Sequence, residues 1–285
     1  MSYLQTIRSR YPKFARRSSA ALRSISLVGE HGVFYFRAFR EIGHAASAYR
    51  KETLRVIAEM GMGTGVLAII GGTVVIVSFM TLSAGALLAI QGFASLSDIG
   101  VEALTGFFAA FINVRIAAPV TSGIALAATI GAGATARIGA MRISEEIDAM
   151  EVMAIRSISY VVSTRVIGGL VVIIPVYSMA VLMSFLSSQL YTTYIAGQSS
   201  GVYNHYFYTF LRPVDLLYSF LQAVIMATTV MLIHCFYGYN ASGGPSGVGF
   251  AVGRAVRASL IAVVSVTMLV SLAVYGTAGN FDLAG

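Results

Sequence analysis

The side chains best suited to chemistry lie together in one short stretch, residues 142–154, called here the acidic segment. It follows a long apolar run, and its charged and hydroxyl residues are Arg142, Ser144, Glu145, Glu146, Asp148 and Glu151. Clustered carboxylates can act as a general acid and base, as a membrane enzyme that modifies lipids would require. This cluster has no intramembrane partner, so the sequence favours a role other than catalysis.

The spacing within the acidic segment predicts a short amphipathic helix. Ser144 is placed to cap it, and Glu145 and Glu146 fall in its first turn, where carboxylates interact favourably with the helix dipole. Its apolar face consists of Ile143, Ile147, Met150 and Ala154. We expect this helix to lie parallel to a membrane, with its acidic side available for docking a partner protein.

Motifs for nucleotide, metal or disulfide chemistry are missing from the sequence. A P-loop requires G-x-x-x-x-G-K-[ST], and the only lysines, Lys13 and Lys51, are not part of such a run. The 4 histidines are scattered, and Cys235 is the single cysteine, so a Cys/His zinc site and an internal disulfide are both excluded. We therefore expect no catalytic residue, no metal site and no cofactor bound by this chain.

Residues 131–136 match the dinucleotide-binding pattern G-x-G-x-x-A, with Glu151 about twenty residues further on. The preceding residues form a long apolar run instead of the short strand that such a site requires. Small residues also recur there at a spacing of four, which allows helix backbones to approach closely. We predict that Gly123, Gly131 and Gly133 serve helix packing.

Arg115 is the only basic residue inside a predicted membrane span. A cation in the hydrocarbon costs several kcal/mol, so it usually faces a partner or a wet cavity. Arg115 could be a polar anchor beside a conduction path. It could equally form a structural pair with a carbonyl or an acid of another helix, or extend towards the interface.

The composition indicates an all-α polytopic membrane protein. Hydrophobic residues make up 57% of the chain and charged residues only 11%, whereas soluble domains are about a quarter charged. A spanning helix needs about 20 mostly apolar residues. Five segments qualify: about 63–90, 101–134, 166–195, 214–237 and 260–275. They divide the chain into a basic N-terminal region, residues 1–60, and a membrane domain, residues 61–285.

The distribution of Lys and Arg predicts the orientation of these spans. With a cytoplasmic N-terminus, the basic N-terminal region and the loops after spans two and four lie inside. Arg212 is then the only basic residue outside, and the C-terminus is extracytoplasmic. A basic tail can also bind nucleic acid, but directly before a span it favours the surface of an anionic bilayer.

Two further segments are predicted to lie at the membrane interfaces. Residues 27–49 form an amphipathic pattern whose charged face is Glu30, Arg37, Arg40, Glu41 and His44. Its apolar side is Phe36, Phe39, Ile42, Ala46 and Tyr49. This pattern fits an interfacial helix or a helix packed on the chain's own loops. Residues 197–212 are rich in Tyr and Phe, which predicts an outer aromatic belt or short helix, or a contact with an external partner.

The sequence resembles the MlaE/YrbE permease family over roughly residues 60–275. The resemblance is carried by residues 139–154 (GAMRISEEIDAMEVMA), by 238–256, and by Arg115 and Pro119 of an R-E-L-G-P element. The long basic N-terminus is similar to the actinobacterial YrbE branch of MCE complexes. Within that branch the chain most resembles the B-type subunit, as in the mycobacterial Mce-one operon.

The resemblance implies a permease subunit of an ABC-type lipid importer in the inner (plasma) membrane. It implies pairing with a paralogous A-type YrbE permease, two copies of a cytoplasmic MCE-associated ATPase below the pair, and an external ring of MCE proteins, a hetero-hexamer. The acidic segment would be the coupling helix that receives ATPase motion. Lipid, either fatty or mycolic acid, would pass inward between the two permeases, with no nucleic acid involved.

Several positions depart from the family pattern. The Glu of R-E-L-G-P is Ile116, a family Arg is Thr129, a family Glu is Arg137, and the usual Asp-Pro is Arg156-Ser157. These losses weaken a substrate-contact role for Arg115. They suit a heterodimer whose other subunit keeps the polar groups, and they also leave open a scaffold that anchors the MCE complex without conducting. A secondary transporter is disfavoured because no internal repeat is visible.

Overall fold

A computed structural model describes residues 29–62 and 72–275 of the chain. Every regular element in these two ranges is helical. In chain order the helices are α1 (29–40), α2 (Ile42–Ala48), α3 (Arg50–Met62), α4 (Gly72–Ser97), α5 (Glu102–Ile143), α6 (Glu146–Val152), α7 (Ile158–Ile195), α8 (Ser200–Phe210), α9 (Pro213–Tyr239) and α10 (Gly244–Tyr275). The predicted all-α class is confirmed.

Five of these helices, α4, α5, α7, α9 and α10, are long and apolar enough to cross a membrane. Their number agrees with the prediction, but their ends do not. Helix α5 has 42 residues and is therefore about 63 Å long, whereas the hydrocarbon core is about 30 Å thick. Hydropathy identifies only the part of a helix that lies within the hydrocarbon. The helix itself extends further, because its backbone hydrogen bonds continue into the flanking polar sequence. The predicted start of the first span, residues 63–71, lies outside the described residues.

Helices α7 and α9 form the centre of the bundle. Their buried side chains, among them Ile173, Val176, Met226 and Val230, pack against α5 and against each other. Close approach depends on glycine: a Cβ on Gly169 would lie 2.4 Å from Met231 Cγ. By contrast α4 and α10 are only 28% and 17% buried over their most apolar windows, so they form the open sides of the bundle.

The N-terminal helices pack on the chain through residues outside the predicted apolar side. Phe34, Ala38 and Ala45 are buried, whereas Phe36 and Phe39 of the predicted apolar side are 69% and 48% exposed, so these two side chains do not pack on the described part of the chain. The Ser163 hydroxyl donates to the Ala38 carbonyl at 2.9 Å, and His44 Nδ1 lies 3.1 Å from Ser159 Oγ. Because α1 has apolar residues on two faces, periodicity alone could not identify the face that contacts protein.

The aromatic segment predicted at 197–212 forms helix α8. Tyr203 and Phe207 are buried against the start of α5, where Gly106 faces the Tyr203 carbonyl. A Cβ at Gly106 would lie 2.3 Å from that oxygen, so only glycine allows this contact. Some aromatic residues of α8 therefore pack inside the protein, whereas Tyr208 remains 70% exposed.

Candidate functional site

The acidic segment is a short helix set off by two left-handed residues. Helix α5 continues to Ile143, Glu145 follows with φ 60°, and α6 runs from Glu146 to Val152 before Ala154 with φ 58°. The left-handed conformation costs roughly 1–2 kcal/mol for a residue with a Cβ. A left-handed residue therefore precedes α6 and another follows its end, which separates α6 from α5 and α7 along the chain.

Two details of the predicted helix are wrong. Ser144 does not cap α6; it ends α5, and its hydroxyl donates to the Ala140 carbonyl and to Glu146 Oε1 at 3.0 and 2.9 Å. Arg142 belongs to the last turn of α5. The physical reason is that the helical backbone hydrogen bonds of α5 continue through Arg142 and Ile143, two residues that were predicted to belong to the acidic helix. Ala154, placed on the apolar face, is exposed because the helix has already ended.

The acidic segment buries one face and exposes the other. Ile147 is fully buried and Met150 is 9% exposed, whereas Val152 and Met153 are 88% and 64% exposed. The side chains of Glu145, Glu146, Asp148 and Glu151 lie on the exposed surface. Two exposed apolar residues beside four acids form a surface with both charge and apolar area for a partner.

A hydrogen-bonded cluster fixes the end of α6 to the spanning helices. The hydroxyls of Ser157 and Tyr239 donate to Glu151 Oε1 at 2.7 and 3.0 Å, and they lie 2.9 Å from each other. Arg142 Nη1 bonds Asp148 Oδ1 at 2.5 Å, and its guanidinium lies 5.9 Å from the Tyr239 ring centroid. These bonds join α6 to α9 through Tyr239 and to the residue before α7 through Ser157.

Sequence reasoning missed Ser157 and Tyr239 as part of this site. Both lie outside the acidic segment, 6 and 88 residues from Glu151. The available signal was the position of Tyr239 in the second stretch of family resemblance. The sequence places that stretch in the region after span four, and its contact with the acidic segment is visible only in three dimensions.

Arg115 forms an ion pair inside the bundle. Its Nη2 lies 3.1 Å from Asp215 Oδ2, and the two residues are only 9% and 6% exposed. The guanidinium also lies 4.0 Å from the Phe111 ring centroid, and Arg212 approaches the other Asp215 oxygen at 3.5 Å. Of the alternatives for Arg115, the structure shows the pair with an acid of another helix. Asp215 was missed because it lies at the start of span four.

Arg115 lies in a π-helical turn of α5, Asn113–Ala117. Such turns shift a helix face and free backbone carbonyls for other donors. Here the Ser219 hydroxyl of α9 donates to the Val114 carbonyl at 2.5 Å, one turn beyond Asp215. The ion pair and this bond join α5 to α9.

The three glycines predicted for packing behave differently. A Cβ on Gly131 would lie 2.5 Å from His234 Cδ2, and one on Gly123 would lie 3.0 Å from Met226 Sδ. A Cβ on Gly133 would meet nothing within 4 Å among the described residues, so this glycine makes no close packing contact with that part of the chain. All three lie in the helical span α5, which agrees with the rejection of a nucleotide-binding turn.

His234 and Cys235 are both buried in α9. The Thr135 hydroxyl lies 2.7 Å from His234 Nδ1, which accounts for the position of the imidazole against α5. Within residues 29–62 and 72–275, no three His, Cys, Asp or Glu side chains are grouped to hold a metal ion. The candidate site thus consists of a set of exposed acids on one surface and a buried ion pair.

Comparison with known proteins identifies this architecture. The family model "Permease MlaE" matches residues 62–273. A probable ABC transporter permease of Rickettsia bellii is 26% identical over 200 residues, covering 70% of this chain and 74% of that protein. The intermembrane phospholipid transport system permease protein MlaE of Haemophilus influenzae is 26% identical over 67% of this chain and 74% of its own length.

A plant protein is also similar. TRIGALACTOSYLDIACYLGLYCEROL 1, a chloroplast protein of Arabidopsis thaliana, is 25% identical over 67% of this chain and 55% of its own length. MlaE permeases are non-catalytic membrane subunits of ABC transporters and carry no cofactor. Since the family match extends over most of the chain, the protein belongs to the MlaE family of ABC transporter permeases.

Proposed function

We propose that the chain is one of two permease subunits of an ABC lipid importer, and that the acidic segment is its coupling helix. The observation that carries this proposal is the exposed acidic helix α6, held between two left-handed residues and hydrogen-bonded to α9 through Tyr239. The chain has no P-loop, so a separate cytoplasmic ATPase drives transport. The ATPase moves α6, and Tyr239 and Ser157 transmit that movement to the spanning helices.

The lipid path lies between this chain and a second permease. Helices α4 and α10 present large apolar side chains on their outer surfaces, for example Phe79, Leu87, Ile261 and Met268. A single copy leaves these helices mostly uncovered, and a pair would enclose an apolar space between them. By the sequence resemblance, the second permease is a paralogous A-type YrbE chain, and this chain is the B-type subunit of an actinobacterial MCE complex.

The cargo and direction follow from the same resemblance. The Haemophilus influenzae relative is named for intermembrane phospholipid transport. For this chain the proposed cargo is a fatty or mycolic acid that moves inward from an external ring of MCE proteins. The proposed orientation has a cytoplasmic N-terminus and an extracytoplasmic C-terminus in the inner membrane, because 17 of the 19 basic residues then lie inside.

Charge reversal on the acidic segment tests the coupling role. The double variant Glu145→Arg/Glu146→Arg removes two exposed acids whose only described side-chain bond is that from Ser144 to Glu146. We expect loss of ATPase co-purification and of lipid uptake, with normal membrane insertion. The control is Asp98→Arg/Glu102→Arg, which reverses one acid in the predicted outer loop and one at the first residue of α5. Unchanged uptake and ATPase recovery in the first variant would reject the coupling role.

A non-conducting scaffold is the second candidate. It is favoured by one observation: Arg115, the polar residue of the predicted path, is engaged in the structural pair with Asp215. A conduit and a scaffold should respond differently when bulky side chains fill the space between the two permeases. Bulky substitutions on α10, such as Val264→Trp, should abolish uptake through a conduit but leave assembly of the MCE complex on a scaffold unchanged.

A further inference from the structure

The surface between α1 and the acidic segment contains an open cavity lined by arginine side chains. This cavity, called here the arginine cleft, has a volume of about 450 Å³ and is lined by Arg37, Arg40 and Arg156. Arg37 also borders an adjoining cavity of about 590 Å³, which contains Glu30. The arginine cleft contains two acids, Glu41 and Glu151, so its formal charge is positive.

The two acids of the cleft already have partners. Glu41 pairs with Arg156 at 3.3 Å, and Glu151 accepts from Ser157 and Tyr239. Within the described ranges, Arg37 and Arg40 take part in none of the ion pairs, and residues 1–29 contain no Asp or Glu. Two guanidinium groups therefore have free donors that face an open cavity.

The cleft lies at the boundary between polar and apolar surface. Ile158 and Ser159, which begin the spanning helix α7, form part of its wall. On α1, Val33 and Phe36 are 54% and 69% exposed, and helical spacing places them on the same side as Arg37 and Arg40. Exposed apolar side chains next to unpaired arginines are the pattern of a helix in the headgroup region of a bilayer.

We propose that the arginine cleft binds the phosphate headgroup of an anionic phospholipid, with the acyl chains lying along Val33 and Phe36. Guanidinium groups donate two parallel hydrogen bonds to phosphate oxygens, which suits Arg37 and Arg40 better than it would suit lysines. This lipid is a bound component that links α1 to the acidic segment, distinct from the transported cargo. The apolar surface beside the arginines favours a lipid over an acidic protein as the occupant.

Lipid retention by the purified transporter complex tests this proposal. The probes are phosphatidylglycerol, phosphatidylcholine and inorganic phosphate, and bound lipid is counted by native mass spectrometry. Arg37→Gln/Arg40→Gln should reduce retention of phosphatidylglycerol by about tenfold, the equivalent of 1.4 kcal/mol. The control Arg50→Gln/Lys51→Gln removes the same charge from exposed positions on α3 and should leave retention unchanged.

The remaining outcomes decide the occupant. Failure of millimolar phosphate to displace phosphatidylglycerol, and weak retention of phosphatidylcholine, would support a lipid site. Equal loss in both double variants would overturn the proposal, because the effect would then be general surface charge. Full displacement of phosphatidylglycerol by phosphate would also overturn the proposal. Reduced ATPase recovery in Arg37→Gln/Arg40→Gln with lipid retention intact would overturn it as well. ATPase recovery and lipid uptake of Glu145→Arg/Glu146→Arg report on the proposed coupling role separately.

Discussion

The acidic segment and the Arg115–Asp215 site contain charges in opposite environments. The acids of the acidic segment lie on an exposed surface, and its ion pair, Arg142 with Asp148, involves side chains that are 35% and 54% exposed. Arg115 and Asp215 have side chains that are only 11% and 8% exposed. An exposed pair contributes about 0–1 kcal/mol, whereas breaking a buried pair leaves a charge in an apolar environment.

This difference separates charges that hold the fold from charges available to a partner. The buried pair joins α5 to α9 and has little surface left for another molecule. The exposed acids contribute little to stability, and their position beside the exposed Val152 and Met153 suits the docking role proposed above. Substitutions should therefore affect stability at the first site and coupling at the second.

The largest expected effect is at the buried pair. Asp215→Leu removes the acid that bonds Arg115 Nη2, and we expect it to destabilise the chain by about 3–5 kcal/mol. Thermal unfolding of the purified protein in detergent measures this loss. Arg115→Met/Asp215→Leu should recover most of the stability, because no buried charge is left. A single variant that unfolds at the wild-type temperature would contradict the structural role of the pair.

Two glycines of α5 provide a matched pair for packing. Gly131→Ala places a Cβ 2.5 Å from His234 Cδ2, and we expect a cost of about 1–3 kcal/mol. Gly133→Ala adds the same methyl group in open space and should be neutral or slightly stabilising. Both are measured by thermal unfolding. Equal effects at the two positions would refute the assigned contact between Gly131 and His234.

Tyr239→Phe tests the connection between the acidic segment and α9. It removes the hydroxyl that donates to Glu151 while keeping the ring, so we expect a stability loss of about 1 kcal/mol. The larger consequence should be weaker lipid-stimulated ATPase activity of the complex. Tyr194→Phe is the control, since Tyr194 is 83% exposed. Normal stimulation in Tyr239→Phe would show that this cluster does not transmit movement.

The smallest expected effect is the pH dependence contributed by Glu52 on α3. Hydrogen bonds from Arg55 lower the pKa of the Glu52 carboxyl below its ordinary value of 4.5. A lowered pKa stabilises the folded state above the unfolded-state pKa, and this contribution is lost as pH falls through the folded-state pKa. Glu52→Gln should therefore lose stability at pH 7, and its difference from wild type should shrink as pH falls below 4.5. A difference from wild type that persists unchanged at pH 3 would contradict this explanation.

The number and type of spanning helices could be predicted from the sequence because they depend on local composition. Long apolar runs require helices in a membrane, and the five runs correspond to α4, α5, α7, α9 and α10. The helix ends were less predictable. Helix α10 begins at Gly244, before Arg254 and Arg257, because helical hydrogen bonding does not stop where apolar sequence stops.

The site was predictable only in part, for the same kind of reason. The acids of the acidic segment are local in sequence, and their exposure follows from their charge. The partners Asp215 and Tyr239 lie 100 and 88 residues from Arg115 and Glu151, so spacing could not reveal them. The sequence could not distinguish the protein-facing side of α1, Phe34 and Ala38, from a lipid-facing side, because both are apolar.

The most direct test of the proposed coupling role is to label a thiol on α6 from each side of the membrane, with and without the bound ATPase. Cys235 is fully buried, so Val152→Cys introduces a single accessible thiol on a residue that is 88% exposed. A membrane-impermeant maleimide should label it in inside-out vesicles only, and bound ATPase should protect it. Labelling from the extracytoplasmic side, or labelling that the ATPase does not change, would contradict the assignment of the acidic segment as the coupling helix.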